Sequence, residues 1–482
     1  MTAAAQKTLA VTLLMASWWI GEAIHITATA LIPLAAYPLL GIMSSRAAAA
    51  PYANHNVFLF MGGFFIAMAM QKWNLHQRIA LHIIKLVGAS PRRLVLGFML
   101  ATAFLSMWIS NTATTMMMLP IGIAVISSIP TGNNQVRKQT DTGILKTNFG
   151  AALMLGIAYS ASIGGVGTLI GTPPNVILAG AIKSLFPGAP EIGFLQWMKV
   201  GVPLVIVFLP LVWYHLVWVS SPIRVKSLGI GRDVIGEQLK ALGPMNKGER
   251  YTLIVFILTA LLWIFRKDIA LGSLTIPGWS SLFPAPELIH DSTVAMVMAL
   301  ILFLIPVDRK KGEFVLDWDW ARRIPWGILF LMGGGFALAE GFQTTGLAGW
   351  VGGRLQLLGN IPPGLMVILV CLLMTFLTEV TSNTATTTVM MPVLAATALA
   401  LKVNPLLLMI PATVSASCAF MLPVATPPNA IVFGSGYLTI PKMARTGLAL
   451  NFTGILLVTT LIYSIALSAF GISLSTLPGW VK

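Results

Sequence analysis

Long apolar runs separated by short polar loops make up the chain, and the length of each run defines its element. Runs near 8–24, 27–43, 55–80, 149–183, 196–219, 251–266, 291–307, 325–348, 404–436 and 446–470 are helix-length. About 20 such residues in helix cross a hydrocarbon core of about 30 Å. Two other runs are too long for one crossing. From Leu94 to Gln135 no side chain is ionisable, and about 36 apolar or small residues in helix would reach roughly 54 Å. Pro362 to Leu401 is similar, with Glu379 its only charge. Each long run carries Ser-Asn-Thr near its middle, where a turn belongs. Each therefore predicts a re-entrant hairpin that enters and leaves on one face.

The polar positions inside apolar sequence repeat. Ser110-Asn111-Thr112-Ala113-Thr114-Thr115 returns 272 positions later as Ser382-Asn383-Thr384-Ala385-Thr386-Thr387. Gly171-Thr172-Pro173-Pro174-Asn175 returns as Ala425-Thr426-Pro427-Pro428-Asn429, and Met61-Gly62-Gly63 as Met332-Gly333-Gly334. A single Ser-Asn-Thr in a membrane helix reads as interhelical hydrogen bonding. Two copies, each paired with a Pro-Pro break in another run, read as two halves of one polar site.

Composition fixes the class. The chain has 482 residues, 56% of them hydrophobic and 9% charged, with mean hydropathy +0.85. Soluble domains carry about 25% charged residues, so this is an integral membrane protein, and helix-length runs exclude a β-barrel. The net charge of +15 is not a nucleic-acid footprint, because Lys and Arg lie mainly in short loops. With both long runs folded as hairpins, 21 of the 30 Lys and Arg fall on one face, in 72–93, 137–146, 224–250, 309–323 and 442–445. That face is the cytoplasm. Five spans then separate the hairpins, so the first enters from the cytoplasm and the second from outside. The repeat is inverted, as in many secondary transporters. Ser220 to Arg250 reads as a cytoplasmic linker. Cys371 and Cys418 lie in apolar runs and the six histidines stand singly, which argues against disulfides and metal clusters. No nucleophile–base pair lies in a membrane segment, so an enzyme is not expected.

Ser, Asn and Thr at a hairpin tip suit capping of the returning helix, and the Pro-Pro pairs suit helix starts. Four helix N-termini directed at one point would favour an anion. Yet neither hairpin core nor either Pro-Pro break contains Lys or Arg. A multivalent anion there needs cations from elsewhere, and hydroxyl, amide and carbonyl oxygens are hard ligands suited to Na⁺. Glu379 stands three residues before Ser382, where the first repeat has Met107. It reads as a proton carrier or a structural hydrogen-bonding group, with the weight on the second.

At these residues the chain resembles the divalent anion/sodium symporter family, sodium-dicarboxylate cotransporter type, over nearly its whole length. The resemblance implies an all-α polytopic membrane protein with inverted-topology repeats, two re-entrant hairpins, two broken helices and an elevator movement. It implies a first sodium site at Ser106, Ser110, Asn111 and Gly171, and a second at Thr378, Thr381, Asn383 and Ala425. Thr381 and Ala425 would contribute backbone carbonyls. Substrate carboxylates would meet Asn111, Thr112, Thr172, Ser382, Asn383, Thr384, Thr426 and Pro427. Residues 1–91 and 251–350 would form the scaffold, 92–220 and 351–482 the moving domain, and 221–250 the linker between repeats. Expected partners are a C4-dicarboxylate such as succinate, malate or fumarate, Na⁺ as coupling ion, membrane lipid and a second copy in a homodimer, with no other cofactor. The expected location is the cytoplasmic (inner) membrane. A sodium-independent dicarboxylate exchanger and a citrate or sulfate symporter are the alternatives. The family pattern also has one more helix ahead of the span that begins near Thr8; without it, ten spans place Met1 outside.

Overall fold

The computed structural model describes residues 1–88, 90–128, 136–224, 231–271, 274–355, 362–474 and 476–481. The first part of the chain forms α1 (Ala3–Gly21), α2 (Ile26–Thr29), α3 (Ile32–Leu39), α4 (Ser45–Ala49), α5 (His55–Lys72) and α6 (Leu75–Val87). Next come α7 (Pro91–Ser106), α8 (Asn111–Ser127), α9 (Val136–Val166), α10 (Pro173–Leu185), α11 (Phe194–Tyr214) and α12 (Gly231–Ala241). The second part forms α13 (Lys247–Ile264), α14 (Asp291–Leu304), α15 (Trp318–Ala321), α16 (Trp326–Thr344) and α17 (Leu347–Leu355). It ends in α18 (Pro363–Leu377), α19 (Asn383–Ala400), α20 (Leu406–Ala416), α21 (Pro427–Phe433), α22 (Ile440–Leu461) and α23 (Leu467–Ala469). Two short antiparallel ribbons, Ile269–Leu271 with Leu274–Ile276 and Pro306–Asp308 with Glu313–Phe314, are the strands among the described residues. The protein is an all-α polytopic membrane protein.

Among the described residues, four continuous helical stretches are long and apolar enough to cross a membrane: Ser45–Lys72, Asn148–Val166, Phe194–Ser220 and Ile440–Ala469. The other expected spans are built from shorter, interrupted or less apolar helices. The run 27–43 divides into α2 and α3. The run 55–80 breaks after Lys72, because Asn74 turns the chain through the left-handed region at φ 57°. Beyond it, α6 buries Leu75, Leu81 and Ile84 along one face, and Arg78 on its polar face donates to both carboxylate oxygens of Glu249 at the start of α13 (2.5 and 3.1 Å). The supposed linker 221–250 is partly helical: α12 packs against α6 and α8.

The two overlong apolar runs fold as helix–turn–helix units. Residues 107–110 join α7 to α8, and 378–382 join α18 to α19. The Pro-Pro breaks fall where the sequence places them, with α9 ending at Val166 and α10 starting at Pro173, and α20 ending at Ala416 and α21 starting at Pro427. The two halves interlock. α10 packs on α19 and α20 of the second half, while α21 packs on α8 and α9 of the first. The repeated Met-Gly-Gly is a packing device: a Cβ on Gly62 would fall 2.7 Å from Ala295, and one on Gly334 would fall 2.4 Å from the Ala30 carbonyl.

A buried ion-pair group ties the α10–α11 connection to α13 and α14. Arg266 donates to Asp291 Oδ1 (2.6 Å) and Glu191 Oε1 (3.0 Å), while Asp291 Oδ2 accepts from the Phe194 backbone N–H (2.7 Å). Burial alone would raise the Glu191 carboxyl, but Arg266, then Lys267 and His290, outweigh it and bring its pKa to about 2. A depressed carboxylate adds stability above its ordinary pKa of about 4.3 and loses it as pH falls toward 2. The wild type is therefore expected to melt higher in detergent than Glu191→Gln at pH 7, with the gap closing between about pH 4 and pH 2. A gap independent of pH would refute this.

Candidate functional site

In the first half the site is assembled from α7, α8, α9 and the break after Val166. Ser106, at the end of α7, donates from Oγ to the Ala161 carbonyl (2.7 Å) and lies 2.6 Å from Asn111 Oδ1. The same amide atom lies 3.2 Å from the carbonyls of Ala161 and Gly171. An oxygen there would meet acceptors only, so the Asn111 amide places its nitrogen at that point, its two N–H bonds facing the oxygens of Ser106, Ala161 and Gly171. Glycine makes this closeness possible, since a Cβ on Gly165 would sit 2.5 Å from Asn111 Oδ1 and one on Gly171 2.4 Å from the Gly165 carbonyl. Ser110 is used differently. Its side chain caps α8 by accepting from Ala113 N–H (3.3 Å).

The second half repeats the pattern with Thr for Ser. Thr378 Oγ1 lies 2.5 Å from Asn383 Oδ1 and 3.2 Å from the Ala416 carbonyl. Thr381 turns its hydroxyl to the Leu377 carbonyl (2.7 Å) and to Thr386 Oγ1 (2.6 Å), so its side chain is occupied away from this cluster. Ala425 is buried within the break. Ser382 does not cap α19 through its side chain, contrary to the expectation for both tips. Thr426 caps α21 by accepting from Asn429 N–H (3.3 Å), whereas Thr172 makes no such bond at α10. Ser382, Asn383, Thr112 and Thr384 are half-buried, Thr172 is buried and Pro427 is exposed.

The breaks themselves share one scaffold. Asn175 Nδ2 donates to the carbonyls of Gly165 (3.1 Å) and Thr168 (2.7 Å), and Asn429 Nδ2 to those of Ala419 (3.3 Å) and Leu422 (3.0 Å). The asparagine that closes each Thr-Pro-Pro-Asn motif therefore reaches ten and seven residues back in both halves. It holds the unwound chain in shape where water is absent to satisfy it.

What fastens each hairpin to its break differs. In the first half the Thr168 hydroxyl donates to the Met107 carbonyl. In the second, Glu379 stands where Met107 was and Leu422 where Thr168 was. The Glu379 carboxylate, 4% exposed, accepts from the backbone N–H groups of Phe420 (2.9 Å), Met421 (3.0 Å) and Leu422 (3.0 Å) and from Asn451 Nδ2 (2.7 Å). This is a structural clamp, in keeping with the weight given to that reading above. It also accounts for the longer second break, which runs over 417–426 against 167–172. Residues missed in the sequence are Ala161 and Ala416, whose carbonyls accept from Ser106 and Thr378, and the clamp partners Asn451 and Phe420. A carbonyl belongs to every residue, so no side-chain type marks it.

Matched positions differ in exposure. Ile170 is 6% exposed and Trp108 is held edge-on by Phe256 (4.9 Å), whereas their counterparts Val424 and Val380 are 76% and 62% exposed. The first half is covered by α13, and the second is open.

A family model described as the sodium:sulfate symporter transmembrane region matches residues 1–470. The chain belongs to the sodium:sulfate symporter family. The earlier resemblance to divalent anion/sodium symporters holds, and membership makes the chain a transporter rather than an enzyme. Within this symporter family, the chain is 44% identical over 468 residues to the sodium-dependent dicarboxylate transporter SdcS of Staphylococcus saprophyticus, covering 97% of this chain and 87% of that one. SdcS of Staphylococcus aureus (strain MRSA252) matches with the same identity and coverage. Two solved structures share the fold at low identity. The YdaH transporter of Alcanivorax borkumensis is 15% identical with a TM-score of 0.59, over 96% of this chain and 98% of that one. Neisseria gonorrhoeae MtrF is 10% identical with a TM-score of 0.55, over 97% and 96%.

Proposed function

We propose that this sodium:sulfate symporter family member imports C4-dicarboxylates such as succinate, malate and fumarate across the cytoplasmic membrane, driven by Na⁺. The observation that carries this reading is the duplicated polar cluster: hydroxyl, asparagine amide and main-chain carbonyl, with no basic side chain in it. Such a set suits a small hard cation, whose charge adds to that of the helix starts in attracting a dicarboxylate. In this structure the Asn111 nitrogen satisfies the carbonyls of Ala161 and Gly171, and on Na⁺ binding the amide would turn its oxygen inward as a ligand. Ser106, Asn111 and Gly171 would hold one Na⁺ together with the Ala161 carbonyl, and Thr378 and Asn383 the other with the Ala416 carbonyl. Ser110, Thr381 and Ala425 complete the proposed sets through oxygens that their present hydrogen bonds leave available. The half-buried hydroxyls of Thr112, Ser382 and Thr384, with Asn111, Asn383, Thr172, Thr426 and the chain at Pro427, would meet the substrate carboxylates beside helix starts that favour negative charge.

The interlocked helices α7–α11 and α18–α23 would move as one body against α1–α6 and α13–α17, in a homodimer, with the hairpins re-entering from opposite faces. The 44% identity to proteins named as sodium-dependent dicarboxylate transporters supports the ion and the substrate class. The test is uptake of labelled succinate into proteoliposomes with and without an inward Na⁺ gradient. Strong stimulation by Na⁺ is expected. Uptake unchanged in choline buffer but stimulated by internal dicarboxylate would establish the exchanger instead.

A further inference from the structure

We propose that Glu379 and Tyr159 couple the two sodium clusters to each other through the unwound segment 417–422. This inference rests on the sodium-coupled reading above. The path is continuous on hydrogen bonds and covalent neighbours. It starts at Thr378, whose hydroxyl belongs to the second cluster, and passes to the adjacent Glu379. The carboxylate holds Phe420 N–H (2.9 Å), and the Phe420 carbonyl accepts from the Tyr159 hydroxyl (2.7 Å). Tyr159 lies on α9, two residues before Ala161, whose carbonyl takes the Ser106 hydroxyl of the first cluster. The rings of Tyr159 and Phe420 also meet edge to face, with centroids 5.0 Å apart.

Every member of the path is buried: Tyr159, Phe420 and Asn451 are fully enclosed, and Glu379 nearly so. Buried polar groups that fill one another's bonding capacity shift together, because a shift by one alone leaves a donor or acceptor stranded. The segment they hold has no helix or ladder of its own to fix it. Its three N–H groups are satisfied by a side chain that stands one residue from an ion ligand. Drawing Thr378 onto a cation therefore moves the clamp, the clamp moves Phe420, and Phe420 moves Tyr159 and the α9 turn that carries Ala161.

The link is one-sided. The position on α20 that matches Tyr159 is Thr413, which bonds the Met409 carbonyl of its own helix (2.8 Å). The matching fastening in the first half, Thr168 to Met107, stays within that half. The bond from Tyr159 to Phe420 thus joins the first cluster to a segment that the second cluster holds twice, through Glu379 and through the Ala416 carbonyl that accepts from Thr378.

Position along a path is not itself coupling, so the test measures cooperativity. Initial rates of labelled succinate uptake into proteoliposomes are recorded against Na⁺ for the wild type, Tyr159→Phe, Glu379→Gln and the double variant. Wild-type activation is expected to be steeper than hyperbolic. Tyr159→Phe removes one hydroxyl and keeps the ring on Phe420. It is expected to bring the Hill coefficient toward 1 and to raise the half-activating Na⁺ concentration by roughly threefold. Glu379→Gln turns an amide nitrogen toward donors and is expected to raise it by roughly tenfold. The double variant should fall no further than Glu379→Gln, since both cut one path. Sodium curves that superimpose on wild type after scaling to maximal rate would overturn the inference and leave Glu379 a purely structural clamp. Should Glu379→Gln fail to fold, Tyr159→Phe decides the matter alone. Wild-type uptake indifferent to Na⁺ would overturn the sodium-coupled reading, and this inference with it.

Discussion

Asn111→Ala and Asn383→Ala are each expected to weaken Na⁺ activation and substrate affinity together, by roughly ten- to a hundredfold in each. Each asparagine is at once a member of a polar cluster and the first residue of a helix that faces the proposed substrate site. Asn111 lies 2.6 Å from Ser106 Oγ and 3.2 Å from two carbonyls, and Asn383 lies 2.5 Å from Thr378 Oγ1. Truncation removes an ion ligand and the side-chain partner of the Ser106 or Thr378 hydroxyl. Hydrogen bonds to charged groups contribute about 1.5–3 kcal/mol, which sets the size of the effect. The measurement is a matrix of initial uptake rates against Na⁺ and succinate. A variant that lost substrate affinity but kept the wild-type Na⁺ curve would show that ion and anion do not share the residue.

Gly165→Ala is expected to abolish Na⁺ stimulation while leaving a folded protein. The added methyl would lie 2.5 Å from Asn111 Oδ1 and 3.1 Å from Nδ2, well inside contact distance. Either the amide leaves the cluster or the start of α8 is pushed off α9, and both disperse the groups around Asn111. Overpacking of this kind costs about 1–3 kcal/mol of stability, so the variant should still elute as wild type on size exclusion. Gly349→Ala is the control, because a Cβ there meets nothing within 4 Å. Equal Na⁺ activation in both variants would show that the cluster around Asn111 holds no ion.

Much of this site was legible in the chain because it was written twice. Ser-Asn-Thr and Thr-Pro-Pro-Asn are polar strings in apolar surroundings, and proline marks a helix start wherever a missing N–H costs nothing. Both breaks and both turns fall where those strings predict. Hydrophobicity could not show the break at Asn74, which depends on one backbone dihedral inside an apolar run. It also could not distinguish the two hairpin tips, since whether Ser110 or Ser382 caps depends on rotamers set by neighbours. Ala161 and Ala416 were invisible for a different reason: their side chains are inert and only the carbonyl acts. Glu379 was visible as a lone charge, but its partners are backbone N–H groups released by unwinding, and unwinding is a property of the folded chain.

The exchange of roles between Met107 with Thr168 and Glu379 with Leu422 constrains how such a chain can drift. Glutamate at 107 would bury a charge where the first half places an apolar side chain against Gly167. Methionine at 379 alone would take the side-chain acceptor from the N–H groups of Met421 and Leu422, while Phe420 N–H would keep Asn451 Oδ1 (3.2 Å). In both halves the break donates and the hairpin accepts, but the side chain that makes the bond comes from the break in the first half and from the hairpin in the second. The two halves of this transporter therefore close the same joint from opposite sides.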